Sequence, residues 1–233
     1  MNYVIWNNKD SRDIKGLLIS ELPPITKPKM RVKETVIDGV DGSIIEELGY
    51  ESYDKAIAIG LKIGADLDKV IEYFTGNGEI VFSNEPDKYY TARIIKNIEY
   101  ERLLRYRVAK VTFRVQPFKY NRVELPREAT TDRTSMIVEN LGNHHSKPII
   151  TITGSGKVEL FVNGKYVCDY TFPAGENTVL IDSEKQDAYF DNILNLRNRK
   201  MFGEFPIFEK GNNTISWSGA VERIQIKKYS RWV

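Results

Sequence analysis

Short runs in which apolar and polar residues alternate dominate this chain, and most end at a glycine, a proline, an Asn-Gly or an Asp-Gly. Antiparallel strands joined by tight turns are written this way. Tyr3-Val4-Ile5-Trp6 and Gly16 to Leu22 predict two short strands. Pro23-Pro24 ends the second, because a proline pair offers no donors to a ladder. Arg31 to Ile37 predicts a third strand, closed by Asp38-Gly39 and Asp41-Gly42, two neighbouring turn signals that suggest a projecting loop. From Tyr53 to Ile63, the side chains of Tyr53, Ile57, Ile59, Leu61 and Ile63 share one face while Ala56, Ala58 and Gly60 share the other. Such a strand is buried on one side and closely approached on the second. After Gly64 the period becomes helical: Leu67, Val70, Ile71 and Phe74 form one stripe, Asp66 is placed to cap it and Gly76 to end it.

A strand over Glu79 to Ser83 then meets the turn Asn84-Glu85-Pro86-Asp87, and two long strands, Tyr89 to Glu101 and Tyr106 to Gln116, read as one hairpin stopped by Pro117. In its second arm Ala109, Val111, Phe113 and Val115 face inward. Glu124 to Asp132 shows no period and is expected to be a linker, separating an N-terminal domain (1–123) from a C-terminal one (133–233). The C-terminal part strings together an Asn140/Gly142 loop, Pro148, a Gly154-Ser155-Gly156 turn, an Asn163-Gly164 hairpin, Ile181-Asp182-Ser183-Glu184, Phe205-Pro206 and a Gly211-Asn212 turn before an Ile-rich strand. The expected fold is mainly β: an N-terminal β-sandwich-like domain with one short helix, then a second β-sandwich or jelly roll.

Composition narrows the chemistry. The 233 residues suffice for two modest cores, and a formal charge of +2 argues against a polyelectrolyte as the main ligand. A single cysteine, Cys168, excludes an intramolecular disulfide framework and a cysteine metal cluster. No basic region followed by an apolar core opens the chain, and no apolar run approaches a membrane span, so neither a leader nor a membrane partner is expected.

Two groups of short motifs resemble the distal tail protein family of siphophages that infect Gram-positive bacteria. In the first half they are Pro86-Asp87-Lys88-Tyr89-Tyr90, and Val111-Thr112-Phe113 running into Gln116-Pro117-Phe118-Lys119-Tyr120. In the second they are Asn140-Leu141-Gly142, Pro148, Ile152-Thr153-Gly154-Ser155-Gly156, Ile181-Asp182-Ser183 and Gly211-Asn212-Asn213-Thr214-Ile215. Together they cover most of the chain in the family's order. The resemblance implies a non-enzymatic structural protein of the virion tail, assembled in the bacterial cytoplasm. Its N-terminal domains would form a homohexameric ring, with galectin-like C-terminal domains outside it. The implied partners are the tail tube protein, the tail-tip hub protein and receptor-binding or baseplate proteins. No stretch between Asp132 and Val233 is long enough to be an inserted receptor-binding arm.

Catalytic constellations are weak by comparison. His144 and His145 are adjacent, and neighbours on an extended chain point in opposite directions, so a solvated loop pair is expected rather than a chelate. Cys168 shares a face with Tyr166, Tyr170 and Phe172 and reads as a small core residue without a base beside it. The close carboxylate pairs, Glu46-Glu47 beside Gly42 and Asp182-x-Glu184, read as loop and turn acids rather than glycosidase machinery. Gly76-Asn77-Gly78 lacks the helix that a phosphate loop requires. The alternative to a ring component is a monomeric carbohydrate-binding accessory protein with Tyr166, Tyr189, Phe190, Trp217, Tyr229 or Trp232 as platform, Trp217 and Trp232 being its named candidates. Nucleic-acid binding could draw on Arg93, Lys96, Arg102, Arg105, Arg107, Lys110 and Arg114, but these are interleaved with Glu99 and Glu101 and divided between faces, so no specific nucleic acid and no cofactor is expected.

Overall fold

The computed structural model describes residues 1–233, which divide into two compact units, Met1–Arg122 with Val233, and Val123–Trp232. The first contains β1 (Val4–Trp6), β2 (Lys9–Asp10), β3 (Leu17–Glu21), β4 (Met30–Val36), β5 (Ser43–Tyr50), β6 (Tyr53–Leu61), α1 (Leu67–Tyr73), β7 (Asn77–Phe82), β8 (Lys88–Ile94), α2 (Tyr100–Tyr106) and β9 (Val108–Asn121). Seven of these strands form one antiparallel sheet in the order β2-β1-β7-β8-β9-β6-β3. Strands β4 and β5 pair only with each other.

Alternation puts the inward residues of β6 and β9 on one face, where Ile57, Ile59, Val111, Phe113 and Val115 are buried with Trp6, Phe74 and Phe82. The Phe113 ring packs tilted or edge-on against Trp6, Phe74 and Phe82 at centroid distances of 5.3, 6.3 and 6.1 Å, the geometry that aromatic quadrupoles favour. Helix α1 covers this face through Val70 and Phe74. Its start is fixed by the Asp66 carboxylate, which accepts from the backbone N–H groups of Asp68 and Lys69. Ile63, expected on the buried stripe, is 92% exposed, because β6 ends at Leu61.

The expected long hairpin is replaced by strand, helix and strand. Tyr100–Tyr106 coils into α2, whose Leu103 is fully buried, and the helix closes on Arg107 at φ +61°. Nor does Pro117 stop β9. The strand runs on to Asn121 through a register shift opposite Tyr90 and Ala92, and a bulge is where a residue without an N–H can sit in a sheet.

The second unit holds β10 (Arg127–Thr130), β11 (Ser135–Asn140), β12 (Ile149–Val162), β13 (Lys165–Thr171), β14 (Thr178–Asp182), β15 (Asp187–Tyr189), β16 (Met201–Gly203) and β17 (Gly211–Lys227). Strands β12 and β17 pair along most of their length. On its other side β12 meets first β14 and then β13, while β17 meets first β11 and then β10. Gly154-Ser155-Gly156 is therefore not a turn between strands but a break inside β12, where its register against β17 shifts. A Cβ on Gly154 would lie 2.3 Å from Ala220 O, and one on Gly219 2.3 Å from Lys157 O, so the crossing needs glycine on both strands. Both halves of the bent pair feed one core, with Ile150 and Ile152 from one and Val158, Leu160 and Trp217 from the other. Asn163 and Gly164, at φ +53° and +76°, make the two-residue turn joining β12 to β13.

Residues 124–132, expected to be a linker because they show no period, contribute β10. Its pairing with Arg223–Ile226 gives it a place in the sheet, and Ala129 is buried there. The four-residue strand is too short and too charged to show a period. A fragment of residues 123–232 should therefore fold alone with a higher urea midpoint than a fragment of residues 133–232. Equal midpoints would show that β10 contributes nothing.

Candidate functional site

The feature least explained by the fold of one copy is the β4–β5 ribbon. All nineteen residues from Arg31 to Gly49 are exposed, among them Val32, Val36, Ile37, Val40, Ile44, Ile45 and Leu48. Opposed residues share a face, so the register Val36↔Ser43, Glu34↔Ile45 and Val32↔Glu47 puts three aliphatics and two carboxylates on one side. The opposite side carries Thr35, Ile44 and the Lys33–Glu46 ion pair, 3.7 Å long. Glu46 and Glu47 thus lie in a strand, not in the expected loop, and point to opposite faces, so they cannot act together on one substrate bond. An isolated two-stranded ribbon is marginal in water, and apolar patches of this kind mark interaction surfaces.

Near the base of the ribbon a groove of about 690 Å³ opens on the outward face of β6 and β9. Ala56, Ala58, Val108, Lys110 and Thr112 line it, between a wall at Glu21–Thr26 and a second at Lys96–Arg102. Asp54, held well below the usual carboxylate range by Lys96 at 2.6 Å and Arg114 at 3.0 Å, sits at its edge. Behind the first wall Lys55 is 3% exposed and donates to Pro24 O at 2.8 Å, with the rings of Tyr53, Phe82 and Tyr90 within 6 Å. Burial lowers its ammonium to about 8, against the opposing pull of Glu85. Glu85 is itself occupied, accepting from Tyr90 Oη and pairing with Lys119. This buried cation, which no sequence pattern singled out, pins the Pro23-Pro24 connection that leads to the ribbon.

In the second unit the histidines do not point apart. Their ring centroids lie 4.2 Å apart, and Arg231, itself buried, places Nη2 2.6 Å from His145 Nε2 and donates from Nε to His145 O. A guanidinium has no acceptor, so His145 Nε2 must carry the lone pair and Nδ1 the proton. Burial first, then the Arg231 charge, push His145 down to about 4; His144 is lowered by the same causes. No three His, Cys, Asp or Glu side chains come together as metal ligands. Cys168 is wholly buried, and desolvation pushes its thiol up to about 12. The Asp182 carboxylate accepts from the backbone of Glu184 and Lys185, a turn role. Trp217 is 6% exposed inside the core and offers no platform; Tyr229 and Trp232 are half-buried.

The motif residues lie where the chain turns or the cores close. Pro86 and Asp87 lie between β7 and β8, Tyr89 stacks on Tyr120 at 5.5 Å, and Tyr90 is buried. Asn140 Nδ2 donates to His144 O and Phe208 O while its Oδ1 accepts from Gly142 N, and a Cβ on Gly142 would fall 2.2 Å from Arg231 O. Pro148 O accepts from Ser183 N at 3.1 Å. Gly156 and Gly211 take φ of +67° and +88°, and Asn212 pairs with Glu139. Buried Asn213, next to the Gly211-Asn212 signal, donates to Glu209 O and Gly211 O and accepts from Glu209 N.

No family model matches the chain, and no curated protein matches it in sequence. Solved structures do. The crystal structure of the SPP1 Dit (gp 19.1) protein, described as a paradigm of hub adsorption apparatus in Gram-positive infecting phages, is similar over 98% of this chain and 99% of its own. The TM-score is 0.71 at 16% identity. A chain of the phage P2 baseplate in its activated conformation with Ca is similar over 100% of both chains, with a TM-score of 0.52 at 8% identity. At these identities the likeness is one of fold.

Two outcomes follow from the second unit. His145 is neutral in the fold and protonates near its ordinary 6.5 once unfolded, so its contribution is complete above that pH and drains away as pH falls toward 4. After allowance for solvent screening the loss is on the order of 1 to 2 kcal/mol. Urea unfolding measured across pH 7 to 4 should show it, and His145→Gln should make the slope shallower while leaving the share due to His144. Cys168→Ser should cost about 1 to 3 kcal/mol in the same assay, because a hydroxyl replaces a buried thiol with no acceptor arranged for it.

Proposed function

We propose that this chain is a structural, non-enzymatic component of a phage or prophage tail tip, closing as a hexameric ring that joins the tail tube to the tip hub or baseplate. The observation that carries the reading is coverage: both units, in order, follow the SPP1 Dit chain over nearly its whole length. A shared sandwich alone would match one half. The motif resemblance, drawn from turns in both halves, supports it independently. So does the exposed ribbon, which gives a free copy an apolar surface that self-assembly would cover. The site of action on this reading is the virion tail. The sugar-binding alternative loses Trp217, which lies within the core.

Sedimentation velocity over a concentration series, with negative-stain imaging, tests the reading. The expected species is a closed ring of six 26.9 kDa chains. A chain that remains monomeric throughout, while binding wall polysaccharide saturably, would replace the ring by the alternative.

A further inference from the structure

The ribbon and the groove are complementary in chemistry. The ribbon face bearing Val32, Val36 and Ile45 carries Glu34 and Glu47 and no cation, and the whole of Met30–Tyr50 has two cations against five carboxylates. Across the first unit the balance reverses. From Arg102 to Arg114 there are five cations and no carboxylate, and the same stretch exposes Leu104, Tyr106 and Val108. Arg114 is engaged by Asp54 and Arg102 lies 3.6 Å from Glu99, which leaves Arg105, Arg107 and Lys110 as exposed cations directed at neither acid. Lys110 stands on the groove floor, opposite Ala58 in the β6–β9 register, with Val108 opposite Gly60. Ala56 and Ala58, half-buried on that floor, are small enough for another backbone to lie close. The groove's lining also holds the acids Glu21, Asp54 and Glu99, of which Asp54 pairs with Lys96 and Arg114 and Glu99 with Arg102, so Lys110 is the floor's own charge toward a ribbon carboxylate. The two surfaces then match in three respects: aliphatic against Val108, acid against Lys110, and a narrow ribbon against a floor kept low on the β6 side by Ala56 and Ala58.

We infer that the Val32/Val36/Ile45 face of the ribbon in one copy seats in the β6–β9 groove of the next, with Glu34 and Glu47 against Lys110 on its floor and Arg105 on helix α2 beside it. The occupant is a second copy of this chain. Within one copy the ribbon cannot be the occupant, since every residue from Arg31 to Gly49 is exposed. The inference rests on the ring reading and adds to it which faces meet. It also fixes the direction of the contact: each copy gives a ribbon to one neighbour and a groove to the other.

Two variants test it, Glu34→Lys/Glu47→Lys on the ribbon and Arg105→Glu/Lys110→Glu on the groove, all at exposed positions, so circular dichroism should stay that of the wild type. At a concentration where the wild type sediments as a ring, each variant alone should sediment at least tenfold less into the assembled species. Mixing the two in equal amounts should restore it, because each ribbon then finds a groove of opposite sign in the other variant. As a second reading, Ile45→Cys chains mixed with Val108→Cys chains should form an intermolecular disulfide, the buried Cys168 remaining silent. Rings that form undiminished in both variants, or variants that fail to rescue one another and give no disulfide, overturn the ribbon-in-groove contact and leave the ring standing. A wild type without any oligomer overturns both.

Discussion

Strand β9 is the constraint on which the first unit depends. It is paired on both sides, with β6 and with β8, and it delivers Phe113 to the centre of the aromatic cluster. Because side chains alternate, a slip of one residue would carry Val111, Phe113 and Val115 out to solvent and bring Lys110 and Arg114 into the core. The cost of that exchange locks the register. The locked register in turn sets the outward face, so the small residues of β6 lie beside Val108 and Lys110 only because Phe113 lies inside.

The second unit solves a related problem by bending. A pair as long as β12 and β17 would make a flat ribbon if it stayed straight, with one face left bare. Breaking both strands where Gly154 and Gly219 let backbones approach folds the pair over a single core. The strand ends are then tied by asparagines, Asn140 holding the loop before β12 and Asn213 the entry to β17. Side-chain amides suit this work because each supplies donors and an acceptor to backbone that has left the ladder.

Much of this was legible in the sequence where a single local rule decided the outcome. Alternation located β1, β3, β6 and β7, helical spacing with Asp66 located α1, and Asn163-Gly164 located its hairpin. The misreadings arose where a tertiary partner overrode the local signal. Tyr100–Tyr106 lacks a capping side chain and reads as strand, yet burial of Leu103 holds it as a helix. Pro117 reads as a stop, but a bulge accommodates it. Gly154 and Gly156 read as a turn because sequence shows a flexible residue without showing the strand that crosses it. The candidate site was the hardest part. In Ser43–Tyr50 the pattern Ile-Ile-Glu-Glu-Leu has no single buried face to betray a strand, and Arg231, more than eighty residues from the histidines, gave no hint that it would sit against them.

The ribbon has a second consequence, for its own edges. Its two outer edges carry unpaired backbone N–H and C=O groups, a template on which any extended chain can add, and its aliphatics would reward such stacking. The surplus of carboxylates works against this. Laid edge to edge, two ribbons bring Glu34, Asp38, Asp41, Glu46 and Glu47 of one near the same acids of the other. Like charge therefore opposes the edge-to-edge pairing of two ribbons and guards their open edges.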